Sequence, residues 1–97
     1  MRLTQISLIA AMLAACAQQS EPVSGTDLPF FGDGYRTKGD PCRRIGESDF
    51  TNQFLDDAAD LVGCPEDMEN LGVFVLDTGG VEVARRDGFV LYSVPLR

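Results

Sequence analysis

The chain has 97 residues, with 15 acidic and 8 basic side chains, three cysteines, and no histidine or tryptophan. That length holds one small domain and excludes a doubly wound dinucleotide fold or a large barrel. A net charge of −7 argues against a nucleic-acid partner, which needs clustered Lys and Arg, and the lack of histidine removes the commonest general base and neutral metal ligand.

Met1 to Cys16 reads MRLTQISLIAAMLAAC. Arg2 supplies an early positive charge. Ile6 to Ala15 is then apolar apart from Ser7, and it ends in small residues. This order of charge, apolar stretch and small residues is that of a secretory signal, expected over residues 1–15. The apolar run is about half the roughly 20 residues a membrane-spanning helix needs, so no permanent transmembrane anchor is expected.

Leu13-Ala14-Ala15-Cys16 resembles the lipobox of bacterial lipoproteins. The resemblance implies that Leu13 is the hydrophobic position, that Ala14 and Ala15 are the small residues before the cut, and that Cys16 is the lipidated residue. In that family a diacylglycerol is attached to the cysteine thiol, signal peptidase II cuts just before it, here between Ala15 and Cys16, and the new amino terminus is usually acylated. The residue types suit the chemistry, because a thiolate is the nucleophile for a thioether. Ala17 stands where an Asp would retain such a protein in the inner membrane, so the resemblance implies the periplasmic face of the outer membrane. Two other readings of the same residues stay open. Ala15-Cys16-Ala17 also fits an ordinary signal-peptidase site, which would release a secreted protein cleaved after Ala17, and the stretch also fits a buried helix.

Three cysteines are an odd number for an exported protein. With Cys16 lipidated, Cys42 and Cys64 remain, and an oxidising compartment favours a disulfide between them. The loop they enclose is about 22 residues, worth roughly 3 kcal/mol on a chain-entropy account. Free buried thiols are the alternative. Two cysteines without histidine do not complete a structural zinc site, so no metal and no cofactor is expected.

Ala17 to Gly34 is rich in Gln, Ser, Gly, Pro and Asp and reads, with Cys16, as a flexible tether over residues 16–34. Pro29-Phe30-Phe31 is the exception. Two adjacent Phe are costly to leave in water, which predicts docking on the domain, with a partner-binding hook as the other reading.

Residues 35–97 form the expected module. Lys38-Gly39-Asp40-Pro41 is a turn. Ser48 can cap a helix in which Phe50, Phe54, Ala58 and Leu61 recur at helical spacing and Leu55 and Val62 widen the face. Gly63 and Pro65 end it. The spacing therefore predicts a main helix over Phe50–Val62, and Pro65–Asn70 a further turn. Val73–Leu76, Val81–Arg85 and Phe89–Val94 read as strands, with Asp77–Gly80 and Asp87-Gly88 as turns. The expected fold is α+β: one main helix packed on a three-stranded antiparallel meander, stapled by the Cys42–Cys64 disulfide.

Basic residues group at Arg36, Lys38, Arg43 and Arg44 and again at Arg85 and Arg86, with only acidic charges between the two groups. This acidic stretch reads as a solvated, soluble face, or as one that meets a cationic partner. Arg43 and Arg44 are expected to pair with Asp40 and Glu47. Phe89 and Tyr92 read as core, with a binding strip as the alternative. No catalytic residue is expected: Ser48 and Ser93 would need Lys38, the sole lysine, as base, and the carboxylates are too many for any pair to stand out. Gly39–Ser48 and Leu61–Pro65 are similar to small lipoproteins of alphaproteobacteria, which implies a structural role for the two cysteines and no catalytic residue. The expectation is a lipid-anchored envelope protein, held to the membrane through Cys16. Its acidic, non-catalytic module contacts an envelope protein or a cationic partner. The alternative is an inhibitor-like domain against a basic periplasmic or foreign enzyme.

Overall fold

The computed structural model describes residues 25–96. Five strands form one antiparallel sheet: β1 (Phe30–Phe31), β2 (Arg43–Ile45), β3 (Ala59–Pro65), β4 (Val81–Arg86) and β5 (Phe89–Pro95), in the order β1-β2-β3-β5-β4. One helix, α1 (Leu71–Thr78), joins β3 to β4. The expected three-stranded meander is thus corrected to a five-stranded sheet, in which β5 enters between β3 and β4. Because β5 is antiparallel to both neighbours, β3 and β4 run parallel. A parallel pair needs a crossover connection, and α1 supplies it.

The main helix expected over Phe50–Val62 does not form. Thr51–Phe54 makes a short 3-10 turn, and the chain then extends at Leu55. The Asp56 carboxylate accepts the Ala58 N–H and turns the chain into β3. Ser48 does cap, but caps this shorter turn, its hydroxyl accepting the Thr51 N–H. β3 lies at the centre of the sheet with Leu61, Val62, Gly63 and Cys64 all buried. A strand covered on both faces shows a run of apolar residues rather than alternation, and such a run mimics a helix. The reverse exchange occurs at Val73–Leu76, expected as a strand and found within α1. After β3, Met68 N–H bonds to the Pro65 carbonyl and closes a turn, and residues 66–70 lead into α1.

Alternation along β3 and β5 divides the core. On the helix side Cys42, Val62, Cys64, Val90, Tyr92 and Val94 pack around Phe74 of α1, which is fully buried. On the other side Leu28, Ile45, Leu61 and Leu91 form a second cluster, flanked by Phe30, Phe50, Phe54 and Phe89. The docking predicted for Pro29–Phe31 is what the structure has: Phe30 and Phe31 pair with Ile45 and Arg44. The folded module therefore begins before Tyr35, and the stretch expected as tether through Gly34 already contributes Leu28 to the core.

Gly63 permits that docking. A methyl group there would lie 2.8 Å from Ile45 Cδ1 and 2.9 Å from Phe30 Cε1. With hydrogen in its place, the Phe30 ring covers β3 and meets Phe89 at 4.8 Å between centroids. The β4–β5 hairpin follows the sequence closely. Arg86 pairs with Phe89, and Asp87 and Gly88 both take positive φ (56° and 87°), the signature of a type I′ turn.

Cys42 and Cys64 are bonded, with Cα atoms 4.2 Å apart, and both are buried. The bond ties the start of β2 to β3 at one row of the sheet. Replacing both cysteines with alanine should lower unfolding stability by about 3 kcal/mol, measured by urea denaturation of the oxidised protein against the double variant. Retained stability would mean that the bond constrains nothing the strands do not already fix.

Candidate functional site

Cys16 and the Ala15–Cys16 cleavage position lie outside the described residues. Where the chain enters the module is described. The Thr26 hydroxyl donates to the Asp87 carboxylate at 2.8 Å, so the amino-terminal segment joins the fold beside the β4–β5 turn. Residues 26–30 then pass over the second face of the sheet, with Leu28 in its core, to reach β1. None of the described helices is long and apolar enough to cross a membrane.

The charges are arranged so that the module uses up its own arginines. Arg36 reaches Asp40 at 2.7 Å and Asp77 at 3.2 Å. Arg44 reaches Asp60 at 3.0 Å and lies over the Phe31 ring. Arg43 donates to the Gly32 carbonyl and covers Phe30. Arg85 pairs with Glu82 at 2.8 Å. Arg86 stacks on Phe50 at 4.1 Å and sits 3.9 Å from Asp87. The expectation that Arg43 and Arg44 pair with Asp40 and Glu47 is corrected: Arg36 takes Asp40, and Arg44 crosses to β3. The Glu82–Arg85 pair depends on the irregular register between Glu82 and Ala84. Residues three apart on a regular strand face opposite ways; the extra residue brings both side chains to the helix side.

Among the described residues, Lys38 and Arg43 have no carboxylate within salt-bridge distance; the other unmatched charges are negative. Asp27, Asp33, Glu47, Asp49, Asp56, Asp57, Glu66, Asp67 and Glu69 have no cation within salt-bridge distance among the described residues. They are spread over the surface, and among the described residues no three metal-binding side chains converge.

Other candidates from the sequence resolve into structure. Ser48 is committed to Thr51, whose hydroxyl donates to the Gly46 carbonyl. Ser93 sits mid-strand on β5 opposite Leu61 and Val81. Tyr92 and Phe89 occupy opposite faces of β5, one in each core cluster, and form no strip. Shallow cavities among the described residues include one of about 310 Å³ beside Asp27, Ser48, Asp49, Phe50 and Arg86 and one of about 370 Å³ beside Arg36–Pro41 and Asp77.

What the sequence did not signal is where apolar side chains stay in water. Leu76 of α1 is 84 % exposed, Val81 62 %, Leu96 55 %, Val73 47 %, Phe31 44 % and Leu55 37 %. Leu55 counted as core in a helix that does not form, and Leu76 as part of a strand. With the helix and strand exchanged, both turn outward.

A buried carboxylate and a half-buried phenol hold the loop that carries Arg36. The Asp40 carboxylate accepts the Arg36 side chain, the Arg36 N–H and the Cys42 N–H. The guanidinium first, then the backbone N–H groups, hold its acidity below the usual carboxylate range. The Tyr35 hydroxyl donates to Asp60 at 2.8 Å. Burial first, then the Asp60 bond and charge, push its pKa up to about 12. For Asp40 the sign is that of a depressed acid. Its stabilisation is complete above the unfolded value near 4 and is lost as pH falls through the lower folded value. Asp40→Asn should therefore cost about 2–3 kcal/mol at neutral pH, and the gap to the parent protein should close as the pH drops below about 4. Denaturation curves from pH 2 to 7 measure this, and a gap independent of pH would show that shape rather than charge carries the effect.

No protein-family model matches this chain, and no curated protein or solved structure matches it either.

Proposed function

We propose that this protein is a lipoprotein of the bacterial cell envelope, attached through Cys16, whose small acidic module works by binding a cationic envelope protein. The observation that carries the reading is the accounting of thiols. Cys42 and Cys64 are bonded to each other inside the core, so Cys16 is the one cysteine left, and it stands at the end of Leu13-Ala14-Ala15-Cys16 behind an export signal. A buried disulfide also suits an oxidising compartment. Eight residues lie between Cys16 and Gly25, which allows a reach of about 30 Å when extended. Two or three acyl chains on one residue would make the attachment lasting, where a single chain is marginal. Ala17 at the sorting position supports the periplasmic face of the outer membrane.

The binding role is supported by the charge pattern. Apart from Lys38 and Arg43, the described charges without an ionic partner are negative, and such a surface steers cationic partners toward it. Exposed Leu and Val at the same module supply apolar contact area.

Intact mass of the protein from the membrane fraction tests the anchor. The expected mass is that of a chain starting at Cys16 with acyl groups added, and Cys16→Ala should move the protein to the soluble fraction. The mass of unmodified Gln18–Arg97 would instead establish ordinary secretion and remove the anchor.

A further inference from the structure

The backbone of Cys42 is held by the loop between β1 and β2 rather than by the sheet. Pairing of β2 with β3 starts at Arg43, opposite Gly63. Cys42 bonds to the loop instead. Its N–H donates to the Asp40 carboxylate at 3.1 Å, and its carbonyl accepts the Tyr35 N–H at 2.7 Å. Residues 33–41 are also bonded among themselves, Gly39 N–H to the Asp33 carbonyl and Asp40 N–H to the Thr37 carbonyl. They form one unit.

That unit lies against the helix-side cluster. Tyr35 packs on the cluster, and the Arg36 guanidinium lies over the Phe74 ring at 5.1 Å and reaches Asp77 of α1. Cys42 and Cys64 belong to the same cluster and are fully buried. The loop itself brings little to that interior. Of residues 33–41 only Asp40 is buried, and its carboxylate is bonded to Arg36 and Cys42. A segment fixed by a few polar contacts opens more readily than one fixed by apolar burial. By contrast, α1 is fixed by the fully buried Phe74, and Cys64 lies in the central strand, paired with Val90 of β5.

We infer that residues 33–41 are a latched cover over the Cys42–Cys64 bond, with Asp40 as the latch, and that a dithiol reduces this bond in the folded module by way of the open loop. Release of Asp40 frees the Arg36 side chain and the Cys42 N–H together. The loop then leaves the cluster and exposes the Cys42 sulfur, while Cys64 stays in the sheet. A thiolate of the reductant attacks Cys42 Sγ. The S–S bond breaks, and the Cys64 sulfur leaves as a thiolate and takes up a proton. The second thiol of the reductant displaces Cys42, so the module gains two thiols and the reductant becomes a disulfide. The bond is thereby exchangeable without unfolding: reduction loosens the loop and β2, and a disulfide oxidant restores them.

Reduction of the purified, oxidised full chain by excess dithiothreitol tests this, in urea from zero to just below the unfolding transition. The rate is read from alkylation of Cys42 and Cys64. It should be flat in urea, because local opening exposes little surface. Asp40→Asn should raise it about tenfold, and so should Arg36→Met, which leaves the carboxylate in place. Both variants should stay flat in urea. Leu91→Val lies in the cluster on the other face. It should lower the urea midpoint and leave the rate in dilute urea within about twofold of the parent.

The site of attack is read with an excess of a monothiol, quenched in acid, whose first adduct should be on Cys42. A parent rate that climbs with urea at the slope of global unfolding overturns the inference. So does Leu91→Val if it accelerates reduction as much as Asp40→Asn, or a first adduct on Cys64. Absence of any reduction below the unfolding transition overturns it as well.

Discussion

The bond between Cys42 and Cys64 is the constraint on which this module is built. A chain this short has little interior, and here the interior is divided again by a sheet with a cluster on each face. Small domains of this size commonly need a covalent staple. The bond joins β2 to the central strand β3, and much of the rest follows. With β2 fixed, Ile45 and Gly63 form the seat for Phe30, and Arg44 comes within reach of Asp60. With Cys42 fixed, its N–H and the Arg36 side chain enclose the Asp40 carboxylate. The bond also fills space beneath α1: Cys42 lies 3.7 Å from Met68 sulfur and shares its cluster with Phe74. One covalent contact thus organises the sheet edge, the 35–42 loop and the floor under the helix.

A different economy governs the surface. Acidic residues far outnumber basic ones, and each described arginine is engaged by the module itself. Guanidinium groups suit this, since they stack on rings and bind carboxylates in one geometry. Arg36 does both at once, lying over Phe74 at 5.1 Å while it holds Asp40 and Asp77. Exposed ion pairs such as Glu82–Arg85 add little stability. Their effect on the outer field is larger, because each matched cation no longer screens the unmatched carboxylates around it.

The sequence made the β4–β5 hairpin and the disulfide legible and the stretch from Phe50 to Thr78 misleading. The β4–β5 hairpin was readable because Asp87-Gly88 has one favoured geometry and the flanking residues suit strands. The disulfide was readable from odd cysteine arithmetic once the first residues are read as an export signal. Phe30-Phe31 was readable as a docking segment, though not as a strand, because its partner β2 has only three residues. The exchange of helix and strand was not readable. Leu61 to Cys64 is apolar on both sides, so it lacks the alternation that marks a strand. Leu71 to Thr78 contains two valines and a glycine, a composition that disfavours helix when judged alone. What overrides it is topology: β3 and β4 run parallel, the chain must cross the sheet between them, and burying Phe74 while ending at Gly79 in the left-handed conformation satisfies both needs.

That same exchange decides which apolar side chains the module leaves exposed. Had Phe50 to Val62 been a helix, Leu55 would have faced the sheet and Asp56 and Asp57 the solvent beside it. As built, the segment turns back at Asp56, which puts Leu55 and both carboxylates at one end, next to Leu96. The crossover brings the last turn of α1 and the start of β4 to that end as well, and with them Leu76 and Val81. None of these four side chains is needed by either core cluster. Their common position is a consequence of how two parallel strands are connected around β5, and the chain enters the fold at the opposite end. The topology that protects the core therefore also decides that these apolar side chains stay in water.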